Sequence, residues 1–325
     1  MTNELKIQVD KINARLSALK FGHNPAELYE PIRYIMSLGG KRMRPLLVLL
    51  AYRLFKKDSE TIIDQAISVE VFHNFTLMHD DIMDKAPLRR GKATVHEKWN
   101  SNVAILSGDV MLVKAYEILI QAPSGNLKEI LNAFNNCALG VCEGQQLDMN
   151  FETNAVVQEE EYLEMIKMKT AILLGYSLQL GAMLAETTSE QAKMLYDFGC
   201  DIGIGFQLMD DLLDVYADQD KFGKQVGGDI IANKKTFLLI KALELANDEQ
   251  RKELNHWIGA VSFNNIDKID AVTEIFNQIG IKELTEKKMN TYFEQGFKSL
   301  DNLSIPAEAK QPLVNLVDFL INRDQ

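Results

Sequence analysis

Two clusters of carboxylates are the residues in this sequence best suited to chemistry. Each has the spacing Asp-Asp-x-x-Asp and follows an apolar run, one at residues 80–84 and the other at residues 210–214. In a helix, side chains four positions apart lie on one face, so the first and last aspartates of each cluster should lie side by side. Like charges at that spacing repel each other, which suggests bound cations. Paired carboxylates with room for water suit Mg²⁺, which also takes phosphate oxygens as ligands, so the sequence predicts an enzyme that acts on a diphosphate.

Basic residues that could hold such an anion lie in a few clusters. Lys41 and Arg44 belong to the run Gly-Gly-Lys-Arg-Met-Arg-Pro at residues 39–45, a turn before a helix, where free N–H groups and the helix dipole favour anions. Arg89 and Arg90 follow the first acidic cluster, and arginine binds phosphate oxygens in a planar, bidentate way. Two alternatives remain open. The basic turn could be a solvated loop, and the two arginines could merely neutralise the neighbouring aspartates in surface ion pairs.

Other polar residues carry weaker signals. His73 lies two helical turns before the first aspartate, which leaves an interior histidine and a phosphate contact both open, whereas His79 is better suited to packing. Gln207 shares a helical face with Asp210 and could donate a hydrogen bond to phosphate. The remaining candidates are individually weak because most lysines are exposed: Lys169, Thr170, Lys224, Lys234.

The composition excludes several classes of protein. The 325 residues carry a formal net charge of −11 and no dominant basic stripe, which argues against a nucleic-acid partner. Three cysteines are too few for a disulfide framework and favour a reducing cytoplasm. The N-terminus lacks the apolar core of a signal peptide, and no apolar run is long enough to predict a transmembrane helix.

Helical periodicity dominates the chain, and hairpin signals are almost absent. The loops are predicted at residues 85–92, 122–126 and 222–228. The pattern predicts one or two helices in each of these segments: 28–37, 62–83, 103–121, 127–147, 159–185, 189–216, 235–245 and 266–299. Because no linker interrupts them, a single all-α domain over residues 1–325 is the simplest prediction.

The motifs, taken in order, resemble those of the trans-isoprenyl diphosphate synthases, also called polyprenyl synthetases. The resemblance rests on the basic turn at residues 39–45, on both acidic clusters, and on Arg-Arg-Gly at residues 89–91. Gly-Gln-Gln-Leu-Asp at 144–148, Lys-Thr at 169–170, Gly-Lys at 223–224 and Lys-Lys-Thr at 234–236 fall in the family's order. The match runs from about residue 30 to about residue 240.

This resemblance implies an all-α helical bundle of the isoprenoid synthase type around a deep central cavity, usually as a homodimer. It implies head-to-tail prenyl transfer, in which an allylic diphosphate ionises and isopentenyl diphosphate attacks the cation. The family pattern assigns magnesium, as two or three ions, to Asp80, Asp81, Asp84, Asp210, Asp211 and Asp214. It assigns isopentenyl diphosphate to Lys41, Arg44, His73 and Arg90, and the allylic diphosphate to Arg89, Lys169, Thr170, Gln207, Lys224 and Lys234. Asp80, Asp84, Asp210, Lys169 and Lys224 are the expected catalytic residues.

The residues just before the first acidic cluster bear on product length. In the family, the side chains four and five positions before the first aspartate stop the growing tail; here these are Thr76 and Phe75, and Phe72 could form a lower floor. A phenylalanine at that point suggests a short product of fifteen or twenty carbons. Three alternatives remain: a synthase of longer chains, a terpene cyclase, and a non-catalytic subunit of a heteromeric synthase.

Overall fold

The computed structural model describes residues 2–123, 125–154, 156–217 and 226–322, and most of these residues are helical, with very few in strands. They divide into two compact units: Met1–Asn136 with Tyr176–Tyr196 and Leu303–Phe319, and Cys137–Gly175 with Asp197–Asn302 and Leu320–Gln325. The prediction of an all-α fold is confirmed. The prediction of a single domain over residues 1–325 stays a prediction.

The helices begin and end as follows, in chain order: α1 Asn3–Ala18, α2 Ala26–Ser37, α3 Met43–Arg53, a 3₁₀ turn Ser59–Ile62, α4 Ile63–Met83, α5 Val95–Lys98, α6 Ser101–Leu119, α7 Leu127–Thr153, α8 Glu159–Ile166, a π-helical turn Lys167–Ala171, α9 Ile172–Leu184, α10 Ser189–Tyr216, α11 Gly228–Ile231, α12 Phe237–Leu245, α13 Asp248–Gly259, α14 Asn265–Ile279, α15 Ile281–Asp301 and α16 Ala307–Ile321.

The segment 85–92 is not only a loop, because it contains a small β-hairpin. Strand β1, Leu88–Arg89, pairs antiparallel with β2, Lys92–Ala93. The two residues between the strands, Arg90 and Gly91, have φ angles of 53° and 73°. Positive φ at both central positions is what a two-residue hairpin turn requires, and the sequence hides it because Arg-Gly stands where Asn-Gly is usual.

The first unit packs around α3 and α4. All residues of α3 from Pro45 to Tyr52 are buried, since neighbouring helices surround it. Gly181 of α9 allows a close approach, because a Cβ at that position would lie 2.3 Å from the carbonyl oxygen of Val48. Helix α1 was not predicted, although Leu5, Ile12 and Leu16, which are buried along it, have the spacing of one helical face.

The second unit has a core built largely from α8, α10, α12 and α14. Tyr162 and Ile166 of α8 pack with Leu208 of α10 in one apolar cluster, and Leu212 packs with Phe276 in another. Helix α7 approaches the π-helical turn so closely that a Cβ on Gly144 would lie 2.2 Å from the backbone nitrogen of Lys169. The glycine at 144 is therefore needed to place that turn.

Among the described residues, no helix combines the length and the apolar character needed to cross a membrane. The three cysteines are free thiols.

Candidate active site

The first acidic cluster ends α4, and its three aspartates have different surroundings. Asp84 is exposed and Asp80 partly exposed, whereas Asp81 is only 2% exposed. Nε of Arg89 lies 2.8 Å from both carboxylate oxygens of Asp81, and Nη2 lies 2.7 Å from Oδ1. The ion pair left open for Arg89 therefore exists, with Asp81 as its partner. The assignments of Asp81 to a metal and of Arg89 to a diphosphate stay predictions, while Asp80 and Asp84 have accessible carboxylates.

The hairpin brings Arg90 against the glycines of the basic turn. The Arg90 guanidinium donates a hydrogen bond to the carbonyl oxygen of Gly39. A Cβ on Gly40, whose φ is 145°, would lie 3.1 Å from the guanidinium nitrogens. A side chain at residue 40 would thus push Arg90 away, so the position of Arg90 requires a glycine there.

His73 lies among arginines on the same side of the unit. Nη1 of Arg44 lies 3.1 Å from Nε2 of His73 and donates to it. Burial, followed by the charges of Arg44, Arg90, Arg89 and Arg42, lowers the pKa of His73 well below its usual value, so the ring is neutral at pH 7. The structure thus brings Arg44, His73 and Arg90 together, and Lys41 is exposed on the same turn. This basic cluster suits an anion that carries no metal.

Aromatic side chains lie behind the first acidic cluster. Phe75 is 8% exposed and Phe72 fully buried, and their ring centroids are 5.6 Å apart. Phe72 stacks edge-on against Phe134 of α7 at 5.1 Å, and Phe75 against His79 at 4.7 Å. The Thr76 hydroxyl donates to the backbone oxygen of His73.

The second acidic cluster, in the other unit, also has a buried second aspartate. Asp210 is exposed and Asp214 partly buried, whereas Asp211 is 3% exposed. The hydroxyl of Tyr162 donates a hydrogen bond to Oδ2 of Asp211. The backbone N–H of Asp229 donates to Oδ2 of Asp214 at 2.9 Å. In both clusters, therefore, the second aspartate is buried and the first is accessible.

The burial of Asp211 changes its titration. Burial raises its pKa to about 7, although hydrogen bonds from Tyr162 and Gln207 oppose that rise. Burial and the neighbouring Asp211 raise the pKa of Tyr162 well above its usual value, so the phenol keeps its proton. Gln207, predicted to contact phosphate, therefore also hydrogen-bonds Asp211.

The predicted lysines of the second unit lie beside carboxylates. Nζ of Lys169, in the π-helical turn with Thr170, lies 2.6 Å from Oδ2 of Asp148. Nζ of Lys234 lies 3.6 Å from Oδ1 of Asp229. Burial opposes the charge of Lys234, but Asp229, Asp211 and Asp148 together raise its pKa above the usual value. Lys224 lies outside the described residues.

Two residues of this region, Tyr162 and Asp229, were not predicted from the sequence. Tyr162 lies two helical turns before Lys169, which was a weak signal for a shared face. Asp229 follows a Gly-Gly pair and gave no signal, because its contact with Asp214 joins residues 15 positions apart in the chain.

The accessible oxygens of the two clusters fit the ligand set of magnesium. Within the described ranges, no group of three or more His, Cys, Asp or Glu side chains is arranged to hold a metal ion. Mg²⁺ is commonly bound by one or two carboxylates together with water and substrate phosphates. Asp80 with Asp84, and Asp210 with Asp214, would supply the carboxylates.

The sequence profile of the polyprenyl synthetase family matches residues 25–276. The chain belongs to this family. A geranylgeranyl diphosphate synthase from Methanosarcina mazei is 34% identical to this polyprenyl synthetase over 326 residues, covering 100% of this chain and 98% of the relative. A geranylfarnesyl diphosphate synthase from Natronomonas pharaonis is 36% identical over 318 residues, covering 92% and 91%.

A crystal structure of a geranylgeranyl pyrophosphate synthase superimposes on this polyprenyl synthetase with a TM-score of 0.92 at 42% identity, covering 97% of this chain and 98% of that one. The predicted isoprenoid synthase type of fold is thereby confirmed. The predicted reaction class is confirmed as well, because members of this family are prenyltransferases.

Proposed function

We propose that this chain is a magnesium-dependent synthase that condenses an allylic diphosphate with isopentenyl diphosphate to give a short all-trans polyprenyl diphosphate and pyrophosphate. One observation carries the proposal. In the first unit, a basic cluster of Arg44, His73 and Arg90 adjoins a helix end that presents Asp80 and Asp84 to solvent. In a two-substrate reaction of this kind only the allylic diphosphate departs, so only that diphosphate requires metal, and the basic cluster can bind the other one without it.

The basic cluster holds the isopentenyl diphosphate in this scheme. Arg44 and Arg90 supply positive charge, Lys41 extends it at the turn, and neutral His73 can donate a hydrogen bond through Nδ1 while its Nε2 accepts from Arg44. A neutral histidine costs less to desolvate than a charged one among four arginines. The binding of this substrate therefore rests on arginine and lysine charge.

The allylic substrate reacts by heterolysis. Its C–O bond breaks, and the bonding electron pair leaves with the diphosphate. By the family pattern, metal would be held by Asp80 with Asp84 and by Asp210 with Asp214, and it would supply Lewis acidity for the departing charge. The same pattern assigns hydrogen bonds to the diphosphate oxygens to Arg89, Lys169 and Lys234. The double bond of isopentenyl diphosphate then forms a new C–C bond to the allylic carbon. The resulting cation loses a proton to the released pyrophosphate, which restores an allylic double bond.

The aromatic side chains below α4's acidic end favour a short product. Phe75 and Phe72 form two successive layers, backed by Phe134. A tail that grows along α4 away from Asp80 meets Phe75 first, with Thr76 beside it. The relatives named geranylgeranyl synthases support a twenty-carbon product within the predicted range of fifteen or twenty carbons.

We also propose that the chain is a homodimer, with α6 at the interface. Leu106 and Val113, seven positions apart on α6, are 58% and 62% exposed. They line a groove with Leu28 and Tyr29 of α2. An apolar face of this kind, on a chain for which the family resemblance implies a homodimer, suits a second copy. The sedimentation mass should be twice the chain mass and should fall to one chain mass in Leu106→Glu/Val113→Lys. An unchanged mass in the double variant, or a monomeric parent, would refute this interface.

A two-part assay tests the function. The purified chain is incubated with isopentenyl diphosphate, Mg²⁺ and each of dimethylallyl, geranyl and farnesyl diphosphate, with and without EDTA. We expect products only with metal, and a loss of activity of roughly 10²-fold or more in Asp80→Asn and in Asp210→Asn. Cyclic hydrocarbons would indicate a terpene cyclase instead, and a folded but inactive parent would indicate a non-catalytic subunit. The free thiols favour a cytoplasmic site for this reaction.

A further inference from the structure

An arginine in the basic turn is not aimed at solvent. Arg42 is 6% exposed, and each nitrogen of its guanidinium has a partner in the first unit. Nε donates to Oδ1 of Asn13 at 3.0 Å, Nη1 to Oε1 of Glu70 at 2.7 Å, and Nη2 to the carbonyl oxygen of Met36 at 3.2 Å. The side chain therefore joins α1, α2 and α4 at one point.

The backbone of Arg42 has an unusual conformation that these contacts hold in place. Its φ and ψ of 53° and 35° lie in the left-handed region, which residues other than glycine seldom occupy. Such a conformation persists only where the surrounding structure fixes it, and it is common at functional sites. Here it lets the chain turn sharply between Lys41 and the first turn of α3.

Glu70 is the second half of this arrangement. It is 3% exposed and lies on α4 one helical turn before His73. The side-chain amide of Asn74 donates to its backbone oxygen at 2.8 Å. Glu70 thus places its negative charge under a group of cations and links the basic turn to the helix that carries His73.

We propose that Arg42 and Glu70 are positioning residues for the metal-free diphosphate site. Arg42 stands between Lys41 and Arg44, so its fixed backbone sets the direction of both side chains. Glu70 fixes the turn at the level of His73, where Arg44 makes its 3.1 Å contact. The inference rests on the proposed function, because it assigns to this pair the geometry of the isopentenyl diphosphate site and no contact with the substrate.

Removing one partner would leave a buried charge and threaten the fold, whereas replacing both by apolar residues often leaves stability unchanged. The informative variant is therefore Arg42→Met/Glu70→Leu. Its matched control is Arg15→Met/Asp64→Leu, which removes an exposed ion pair between α1 and α4 (Nη2 to Oδ2, 2.8 Å). Asn13→Ala removes only the Nε contact and serves as a milder test that does not bury a charge.

The steady-state KM is measured for each substrate, and the affinity for inorganic pyrophosphate is measured by calorimetry in EDTA. We expect KM for isopentenyl diphosphate to rise roughly tenfold or more in the double variant and a few-fold in Asn13→Ala, since a small misplacement of binding groups has effects of this size. We expect KM for the allylic substrate to stay within about twofold in both, and the control to match the parent.

The outcomes separate this inference from the proposed function. An active, folded double variant with an unchanged KM for isopentenyl diphosphate would overturn the inference and leave the function intact. Equal rises in both KM values would also overturn it, because they would indicate a general structural role. If the double variant does not fold, Asn13→Ala decides by the same criteria. A parent that does not turn over isopentenyl diphosphate would refute the proposed function. The affinity of the parent and the variants for pyrophosphate in EDTA would then be the only test of the positioning role.

Discussion

Shortening Phe75 to alanine should lengthen the product by one isoprenoid unit. Phe75 is 8% exposed and lies between the acidic end of α4 and the deeper ring of Phe72. The substitution removes a phenyl ring, which is close in size to one five-carbon unit. The next obstacle along α4 is then Phe72, which is fully buried and backed by Phe134 at 5.1 Å. A twenty-carbon product should therefore become a product of twenty-five carbons, without a further extension.

The free energies involved are large enough to decide product length. A five-carbon unit buried in the new space gains about 4 kcal/mol, at about 0.8 kcal/mol per methylene, which corresponds to roughly 10³-fold in partition between stopping and extending. The same truncation costs the folded protein about 3–5 kcal/mol through lost contacts and the cavity. The variant should therefore be less stable, and it should recover part of that loss when a long product is bound.

Mass spectrometry of the diphosphate products, with farnesyl diphosphate as primer, measures this directly. Phe198→Ala is the matched control, since Phe198 is a 1% exposed core phenylalanine of the second unit that packs on Phe297 at 6.0 Å. It should lose comparable stability and keep the parent's product length. An unchanged product in Phe75→Ala, or an equal shift in Phe198→Ala, would refute the role of Phe75.

Three further variants probe the second unit. The pKa of Asp211 is about 7 in the folded state and about 4 in the unfolded state. The folded state therefore keeps this proton up to a higher pH than the unfolded state does. Without metal, the free energy of unfolding should fall by roughly 4 kcal/mol as pH rises from about 4 to 8. In thermal unfolding curves, Asp211→Asn should remove most of this pH-dependent loss of stability. An undiminished loss in the variant would show that Asp211 is not its cause. Tyr162→Phe deletes the hydrogen bond to Asp211 and should lower the free energy of unfolding by about 1.5–3 kcal/mol at pH 8. It should also raise the Mg²⁺ concentration needed for half-maximal rate. An unchanged Mg²⁺ requirement would contradict a role of Tyr162 in metal binding. Lys169→Met should lower kcat by roughly 10²-fold, whereas Lys167→Met, which removes an exposed ion pair with Glu164, should not; equal effects would exclude a specific role for Lys169.

Local spacing was enough to predict the helices that carry the acidic clusters and the pairing of their first and last aspartates. Helical geometry relates residues four positions apart without knowledge of the rest of the chain. The burial of the second aspartate in each cluster, Asp81 and Asp211, was not predicted.

The partners of those buried aspartates could not be predicted in the same way. Tyr162 is 49 residues from Asp211, and the contact depends on how α8 packs beside α10 within the second unit. Arg42 is equally hidden, because its left-handed backbone is set by contacts with Asn13 and Glu70 rather than by its neighbours in sequence. Spacing therefore predicts which side chains share a helix face, whereas long-range packing decides which of them remain accessible.

The stoichiometry of the reaction in the presence of Mg²⁺ directly tests whether this chain condenses two diphosphates. With farnesyl diphosphate and labelled isopentenyl diphosphate, we expect a linear twenty-carbon diphosphate and one pyrophosphate released for each labelled unit incorporated. Both should disappear in EDTA. Pyrophosphate released without incorporation of label, or a product that has lost its own diphosphate, would contradict the claim that this chain joins two diphosphates head to tail.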